Sequence, residues 1–322
     1  MKKIFVLIAS IIILVSCGKQ LNESEIITDE LSKEIQKKTI YTSFYPIYFL
    51  TNSLIWDEAT VINLVPAGWE PHEYEPTLKQ IGEIQKSDLI ILNWLWMESY
   101  EAKLIESIWT WKIVLLSEKL DNLIKLNKEE HEAEHENEAE HKTEDEHHWH
   151  DHWDTDPHTW LSPKEFKKMA NILVSELENA WFNNLDKSVL DRLDDLENKY
   201  NLWIKECEVK KLVTSHEAFW YLASDYWLIQ HPVFWISPEE EPSAKDITSV
   251  IDLIKNEKLD YIFSEEFVSP KFAETIKKET WVTVLTLHPL ESLSSDEEIA
   301  KEDYISIMEK NLEKLRTWLK CK

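Results

Sequence analysis

The chain has 322 residues, of which 43% are hydrophobic and 30% are charged, and its formal net charge is -26. This length suffices for one large core or two smaller ones, because domains usually contain roughly 100–200 residues. The negative charge argues against nucleic acid as a partner, since phosphate binding needs clustered Lys and Arg, and equally against adhesion to an anionic membrane surface.

The N-terminus predicts a secretory signal, residues 1–17. Two lysines precede an apolar run over 4–15, which is too short for a membrane-spanning helix of roughly 20 residues. The run ends in LVSCG, which resembles a lipobox and predicts acylation of Cys17; an ordinary signal peptide with an incidental Cys is the alternative. The polar segment 18–37 predicts a flexible tether. We therefore expect an extracytoplasmic protein, anchored to the membrane through Cys17, or periplasmic if the signal is simply cleaved.

From residue 38 onward, apolar runs that predict strands alternate with helical patterns. Strands are predicted at 39–44, 60–65, 89–92, 112–116, 211–214, 261–263 and 282–287. Helices are predicted at 47–54, 78–86, 100–108, 217–226, 246–256, 270–279 and 299–319. Such alternation is typical of parallel βαβ units, so the predicted fold class is α/β, with a mostly parallel sheet in each of two lobes.

Two segments differ in character from the α/β alternation of the lobes. The first lobe is predicted over 38–162 and the second over 209–322, and the helical region 163–208 connects them. The loop 127–154 interrupts the first lobe, since its mixture of His, Glu and Asp cannot form a core. Its histidines are His131, His135, His141, His147, His148, His150 and His152.

Two cysteines, Cys207 and Cys321, remain after Cys17. Outside the cytoplasm they are able to pair and close the C-terminal half of the chain. The sequence does not set the distance between them, so the pairing stays open at this stage.

The tryptophan and glycine contents are unusual. The chain has 16 Trp and 3 Gly, whereas roughly 7% Gly is typical. Trp281 and Trp227 each follow a predicted helix, and Trp69 lies in a Pro-rich turn, where the backbone favours Gly. One interpretation is an aromatic surface that stacks sugars or peptides. The other, which the positions favour, is that most of these codons are UGA, read as Gly in the source organism; Trp160 is the exception, because it fits its own motif.

Four motifs near strand ends carry candidate metal ligands. They are PHEYEPT (71–77), DPHTWL (156–161), TSHEAF (214–219) and HPLES (288–292). Open α/β sheets place ligands beyond the carboxyl ends of their strands. Neutral imidazole nitrogens bind Zn²⁺ well, and a carboxylate commonly completes a four-coordinate site. Taken singly, each histidine has an ordinary surface or capping role as the alternative; together they predict a metal site formed by His72, His158 and His216.

Two acidic residues beside these histidines are candidate supports for the ligands. Asp156 and Glu217 are able to accept a hydrogen bond from the second ring nitrogen of a ligand histidine, which fixes its tautomer. His231, in contrast, has no neighbouring partner of this kind, and we interpret it as structural.

With these motifs, the chain from about residue 38 onward resembles the metal-binding solute receptors of ABC importers, and among them the ZnuA/AdcA-like zinc receptors of the A-I group. The stretch ISPEEEPS (236–243) adds to the resemblance. It implies two α/β lobes joined by a long rigid helix, one metal ion in the cleft between them, and delivery to a membrane permease driven by a separate ATPase. A monomer is expected. The family carries Gly where this chain has Trp94, Trp96, Trp220, Trp227 and Trp235, which agrees with the UGA interpretation.

The resemblance also bears on the choice of metal. Zinc members of the family have His at the position of His216, whereas manganese members tend to have Glu there, so His216 favours zinc. A manganese or iron receptor of the same fold is the alternative. For the fourth ligand, the resemblance implies Glu291; His288, which departs from the Asp or Asn usual at its position, and a water molecule are the competitors.

The remaining expectations concern the loop and the rival functions. The loop 127–154 resembles the metal-collecting loop of zinc members and predicts weak additional zinc binding, with an acidic spacer as the alternative.

A zinc-dependent hydrolase is the main rival function, but no His-Glu-x-x-His helix, nucleophile elbow or phosphate loop is present in the sequence. The chain is therefore predicted not to be an enzyme.

Overall fold

The computed structural model describes residues 37–126, 155–215, 217–232, 244–264 and 270–322. Its unit from Lys38 to Lys322 contains all the elements reported below. Among the sequence predictions, the signal with Cys17, the tether up to residue 36, the seven loop histidines and His216 lie outside the described residues. In the described part of the chain, no helix has the length and apolar character needed to cross a membrane.

Within the described residues, eight strands form two parallel sheets of four, which confirms the predicted fold class. The strands are β1 (Lys38–Thr42), β2 (Ala59–Asn63), β3 (Leu89–Leu92), β4 (Ile113–Leu115), β5 (Lys211–Thr214), β6 (Ile229–Pro232), β7 (Tyr261–Ser264) and β8 (Thr283–Thr286). The first sheet has the order β2-β1-β3-β4 and the second has the corresponding order β6-β5-β7-β8. Because all pairs are parallel, the carboxyl ends of the strands in each sheet meet at one edge.

Helices flank both sheets. They are α1 (Tyr45–Ile55), α2 (Leu78–Ile84), α3 (Glu101–Ser107), α4 (Pro163–Asn179), α5 (Ser188–Ile204), α6 (Trp220–Asp225), α7 (Ala244–Glu257), α8 (Pro270–Thr280), α9 (Ser295–Ala300) and α10 (Tyr304–Trp318). The chain passes from the first sheet to the second through α4 and α5, which are 17 residues each. Ser162 begins α4 by accepting a hydrogen bond from Glu165 N, and Pro163 occupies the first helical position, where its missing N–H costs nothing.

The structure corrects the predicted closing helix over 299–319, which is two helices. Lys301 has φ 57 and ends α9, since Glu302 N bonds to Glu297 O. Asp303 then begins α10 with a capping box shared with Ser306. The strand β6, which the sequence analysis omitted, pairs with β5 from Lys211↔Ile229 onward and contains His231.

Aromatic residues fill the junction between the lobes. Trp160 is fully buried and meets Phe44, directly before α1, edge to face with ring centroids 4.7 Å apart. Phe166 of α4 stacks on Tyr304 of α10 at 3.9 Å. Tyr304 Oη donates to Trp160 O at 2.6 Å, so the backbone that carries the DPHTWL motif is held by a helix of the C-terminal half.

The two cysteines whose pairing the sequence left open form a disulfide. Cys207 follows α5 and Cys321 follows α10, 114 residues apart in sequence. The bond therefore ties the end of the helical connection to the C-terminus of the chain.

Candidate metal centre

His72 is held by a loop that follows β2. Trp69 N donates to Pro66 O at 3.2 Å and Gly68 has φ +77, which is the geometry of a tight turn that favours glycine. Glu70 Oε1 then accepts a hydrogen bond from His72 N at 3.1 Å. These local bonds fix the backbone at His72, whose side chain is half-buried.

His158 is held more tightly, because it is buried to 3% exposure and its ring is oriented by a carboxylate. Asp156 Oδ1 accepts hydrogen bonds from His158 Nδ1 at 2.6 Å and from His158 N at 3.1 Å. Burial lowers the pKa of His158 to about 3, so the ring is neutral. With its proton on Nδ1, the ring presents the Nε2 lone pair to the cleft, as a metal ligand must. This is the arrangement expected for Asp156 from the sequence.

Glu291 comes from the loop after β8. Leu290, with φ 61, turns the backbone just before it, and the preceding His288 is fixed to α10. Asn311 accepts from His288 N at 3.0 Å and donates to His288 O at 2.9 Å. The Glu291 carboxylate is only 1% exposed as a result.

These three side chains meet in the cleft. The distance from His72 Nε2 to His158 Nε2 is 3.4 Å, and that from His158 Nε2 to Glu291 Oε1 is 3.7 Å. One ligand atom from each residue lies within 4.8 Å of the others. Two imidazoles and a carboxylate at this spacing, buried between two sheets, are able to hold a divalent transition metal.

His288, the competing fourth ligand, is directed away from this group. Its Nδ1 accepts a hydrogen bond from Leu290 N at 2.8 Å, and its Nε2 lies 3.3 Å from Glu297 of α9. The hydrogen bond from His288 lowers the pKa of Glu297 to about 2. Both ring nitrogens therefore have structural partners, and Glu291 is the member of this loop that joins His72 and His158.

Two predicted residues are not tested by this geometry. His216 lies outside the described residues. Glu217, which follows it, is half-buried in the turn before α6. The metal-ligand role of His216 and the supporting role of Glu217 stay predictions.

Tyr221 and Asn93 support the centre and were missed by the sequence analysis. Tyr221 Oη, from α6, donates to Asp156 O at 3.0 Å and accepts from Ile124 N at 3.1 Å. Asn93 Nδ2 donates to Pro157 O at 3.0 Å. Asn93 directly follows β3, so its place at the carboxyl edge of the sheet was the available signal; nothing local marks Tyr221, because its partners are 65 and 97 residues away.

Comparison with known proteins decides the family. The family model described as "Zinc-uptake complex component A periplasmic" (ZnuA) matches residues 40–318. The chain belongs to the ZnuA family. This confirms the resemblance inferred from the motifs.

Members of the ZnuA family align along nearly the whole chain. The zinc-binding lipoprotein AdcA of Streptococcus pneumoniae strain R6 is 35% identical over 98% of this chain, which spans 61% of that relative's length. The high-affinity zinc uptake system protein ZnuA of Bacillus subtilis is 33% identical over 99% of this chain and 98% of its own length. The chain is thus about as long as one relative and clearly shorter than the other.

Solved structures of the family share the fold. The Zn(II)-bound ZnuA-like domain of S. pneumoniae AdcA matches with a TM-score of 0.69 and 32% identity, over 88% of this chain and 99% of that domain. The Zn(II)-bound AdcA of the same organism gives a TM-score of 0.74 at 32% identity, over 88% of this chain and 58% of that one.

Proposed function

We propose that this chain is an extracytoplasmic receptor that captures one Zn²⁺ ion between its lobes and delivers it to an ABC permease driven by a separate ATPase. The ligands are His72, His158 and Glu291, with His216 as the fourth. The observation that carries the proposal is the convergence of three buried or half-buried ligand atoms from both lobes within 4.8 Å.

The separation of the ligand atoms supports zinc. Tetrahedral Zn²⁺ with ligands at about 2.0–2.1 Å requires its ligand atoms to lie roughly 3.3 Å from one another. The nitrogens of His72 and His158 are 3.4 Å apart, close to this value, and His158 Nε2 lies 3.7 Å from Glu291 Oε1, somewhat above it. A third imidazole from His216 suits zinc better than manganese, which prefers oxygen ligands. A zinc hydrolase would need an open coordination position, which a fourth protein ligand fills.

The rest of the predicted organisation forms part of the same proposal. Cys17 anchors the mature protein to the membrane, and the receptor acts as a monomer. The first lobe covers 38–162, the connection 163–208 and the second lobe 209–322. The loop 127–154 binds further zinc weakly and raises its concentration near the cleft.

Metal analysis of protein purified without added metal tests the proposal. We expect one zinc per chain, and we expect His158→Ala to lose it. His231→Ala is the matched control, because His231 lies in β6 and is not one of the clustered ligands. Absence of bound metal together with no thermal shift on adding Zn²⁺ would refute the proposal. A preference for Mn²⁺ or Fe²⁺ over Zn²⁺ would instead favour a receptor of the same fold for those ions.

The auxiliary role of the loop has its own test. Deleting residues 129–152 should leave one tight zinc site and remove the weak ones in calorimetry. An unchanged stoichiometry would contradict that role while leaving the tight site unaffected.

A further inference from the structure

Ser292 connects the two ligand-bearing loops across the cleft. Its hydroxyl accepts a hydrogen bond from Gly68 N at 2.7 Å and lies 3.4 Å from Pro66 O. Both partners belong to the turn that precedes His72, whereas Ser292 directly follows Glu291. The side chain is buried to 2% exposure, so water does not substitute readily for this bond.

The same loop is also tied to the segment that carries His158. Trp160 Nε1 donates to Pro289 O at 2.8 Å, and both groups are buried. The loop from His288 to Ser292 is therefore attached at Pro289 to the His158 segment and at Ser292 to the His72 segment, with Glu291 between the two attachments. Asn311 of α10 accepts a hydrogen bond from His288 N and so holds the start of this loop on α10.

From this arrangement we propose that Ser292 is a positioning residue whose hydroxyl joins the His72 turn to the Glu291 loop and thereby sets the rate of metal release. The inference rests on the proposed function, because it assigns a role to the cleft in holding zinc. Any separation of the His72 turn from the Glu291 loop on metal release breaks the Ser292 bond as well, because Gly68 lies in that turn and Ser292 directly follows Glu291. Its loss leaves Gly68 N without this acceptor and makes opening easier.

The test measures zinc dissociation from the full chain with a fluorescent chelator. We expect Ser292→Ala to release zinc about tenfold faster, with little change in the association rate. Ser292→Thr, which keeps the hydroxyl, should restore most of the slow release. Ser294→Ala is the matched control, since that hydroxyl only caps α9 through Glu297; it should lower the melting temperature without changing the release rate.

The outcomes distinguish a failure of the Ser292 inference from a failure of the proposed zinc-receptor function. Equal release rates in the wild type and in Ser292→Ala, with a lowered melting temperature, would mean that the bond is only structural and would overturn the inference alone. A wild type without tight zinc would overturn the proposed function as well. If Ser292→Ala fails to fold, Ser292→Cys replaces it, because a thiol fills the space and accepts hydrogen bonds weakly; release as slow as in the wild type would then overturn the inference.

A second inference comes from the backbone at the tryptophans. Eleven non-glycine residues in the described chain have positive φ, and six of them are Trp56, Trp94, Trp96, Trp181, Trp227 and Trp281, with φ between 52 and 74. Tryptophan makes up only 16 of the 322 residues, so this share is far above its frequency. A bulky side chain at positive φ is a genuine outlier, whereas Gly adopts this region freely.

Three of these residues end helices in the way that Gly usually does. Trp181 follows α4, Trp227 follows α6 and Trp281 follows α8. After the first two, the next residue donates to the carbonyl five positions earlier: Phe182 N to Leu177 O and Leu228 N to Ala223 O. Trp281 N donates to Lys277 O. These are the Schellman and related αL endings, whose turning residue is most often Gly.

Trp56, Trp94 and Trp96 lie in connections of the first lobe, outside its helices and strands. Trp56 combines φ 52 with ψ -100, in the mirror-image β region where Gly is the ordinary occupant. Trp94 and Trp96 flank Leu95, and all three have positive φ. Trp160, by contrast, is absent from the positive-φ set, is fully buried and donates from its indole nitrogen.

We infer that the natural chain has glycine at positions 56, 94, 96, 181, 227 and 281, encoded by UGA, and tryptophan at 160. Sequencing the gene and measuring peptide masses of the protein from its own organism test this. UGA codons together with glycine masses at the six positions would support the inference. UGG codons, or tryptophan masses at these positions, would overturn it.

Discussion

Two hydrophobic clusters of unequal size divide the molecule. The large cluster runs through the first sheet, α1, α4, α5 and α10, and it includes residues beside all three clustered ligands: Tyr74 near His72, Leu161 near His158, and Leu290 beside Glu291. The small cluster lies between the second sheet and helices α7 and α8, and its buried members are Val213, Val250, Ile254, Ile262, Ile276 and Val282.

The difference shows which part of the protein fixes the ligand geometry. His72, His158 and Glu291 come from different lobes, yet their segments all pack on one continuous core, so their relative positions depend on it. Strand β5 is shared between the clusters, since Leu212 packs in the large one and Val213 in the small one.

The largest expected effect on the large cluster comes from its disulfide. Cys207→Ser should lower the free energy of unfolding by about 4 kcal/mol, because the bond closes a loop of 114 residues in the unfolded chain. Urea unfolding measures the change. The double variant with Cys321→Ser should lose no more than the single one; a loss below about 1 kcal/mol would mean that the bond adds little to the large cluster.

Two truncations compare the clusters directly. Leu161→Ala in the large cluster and Ile276→Ala in the small one should each cost about 3 kcal/mol, since both side chains are buried. Only Leu161→Ala should weaken zinc binding in calorimetry, because Leu161 lies three residues from His158. Equal losses of zinc affinity in the two variants would show that the small cluster fixes the ligands as well.

A pH dependence of stability should arise in the first lobe, from Glu98 and Glu101. Burial raises the pKa of Glu98 to about 7; burial, with repulsion from Glu98, raises the pKa of Glu101 to about 8. In the unfolded chain both titrate near pH 4.3. The folded state therefore keeps protons that the unfolded chain releases, and the free energy of unfolding falls as the pH rises from about 4 to 8.

Replacing both residues by Gln removes this titration, so we expect a flatter profile of unfolding free energy between pH 5 and pH 8. Glu106→Gln, at an exposed position of α3, is the control and should keep the slope of the wild type. A slope that survives the double replacement would assign the pH dependence to other groups. Glu98 also accepts from Asn93 N and Trp94 N, so the double variant should be less stable overall.

The sequence predicted the features that local patterns encode. Short apolar runs identified seven of the eight strands in the described residues, and the Pro-His pairs indicated His72 and His158 as candidate ligands. The start of α9, at Ser294 with Glu297, and the break before α10, at Asp303 with Ser306, are also encoded locally, by capping boxes.

The choice between Glu291 and His288 was not predictable from local patterns. It depends on the left-handed backbone of Leu290 and on Asn311, which lies 23 residues beyond His288 and holds its backbone. The Ser292 bond likewise joins residues 224 positions apart. Such contacts form only once the lobes have packed against each other. The spacing of residues along the sequence therefore does not predict them.

The smallest expected effect lies at the end of α8, beside the small cluster. Trp281 has φ 61 and is 91% exposed, so its side chain has little packing to lose. Trp281→Gly should raise the free energy of unfolding by about 1 kcal/mol, because relief of the left-handed strain exceeds the entropy that Gly gains in the unfolded chain. Trp318→Gly is the control: Trp318 lies in α10 and packs near Tyr261, so that variant should be destabilised. Thermal unfolding shows whether each variant is more stable or less stable than the wild type. A loss of stability in Trp281→Gly would favour a genuine aromatic surface there, and with it the interpretation of the exposed tryptophans as a binding face.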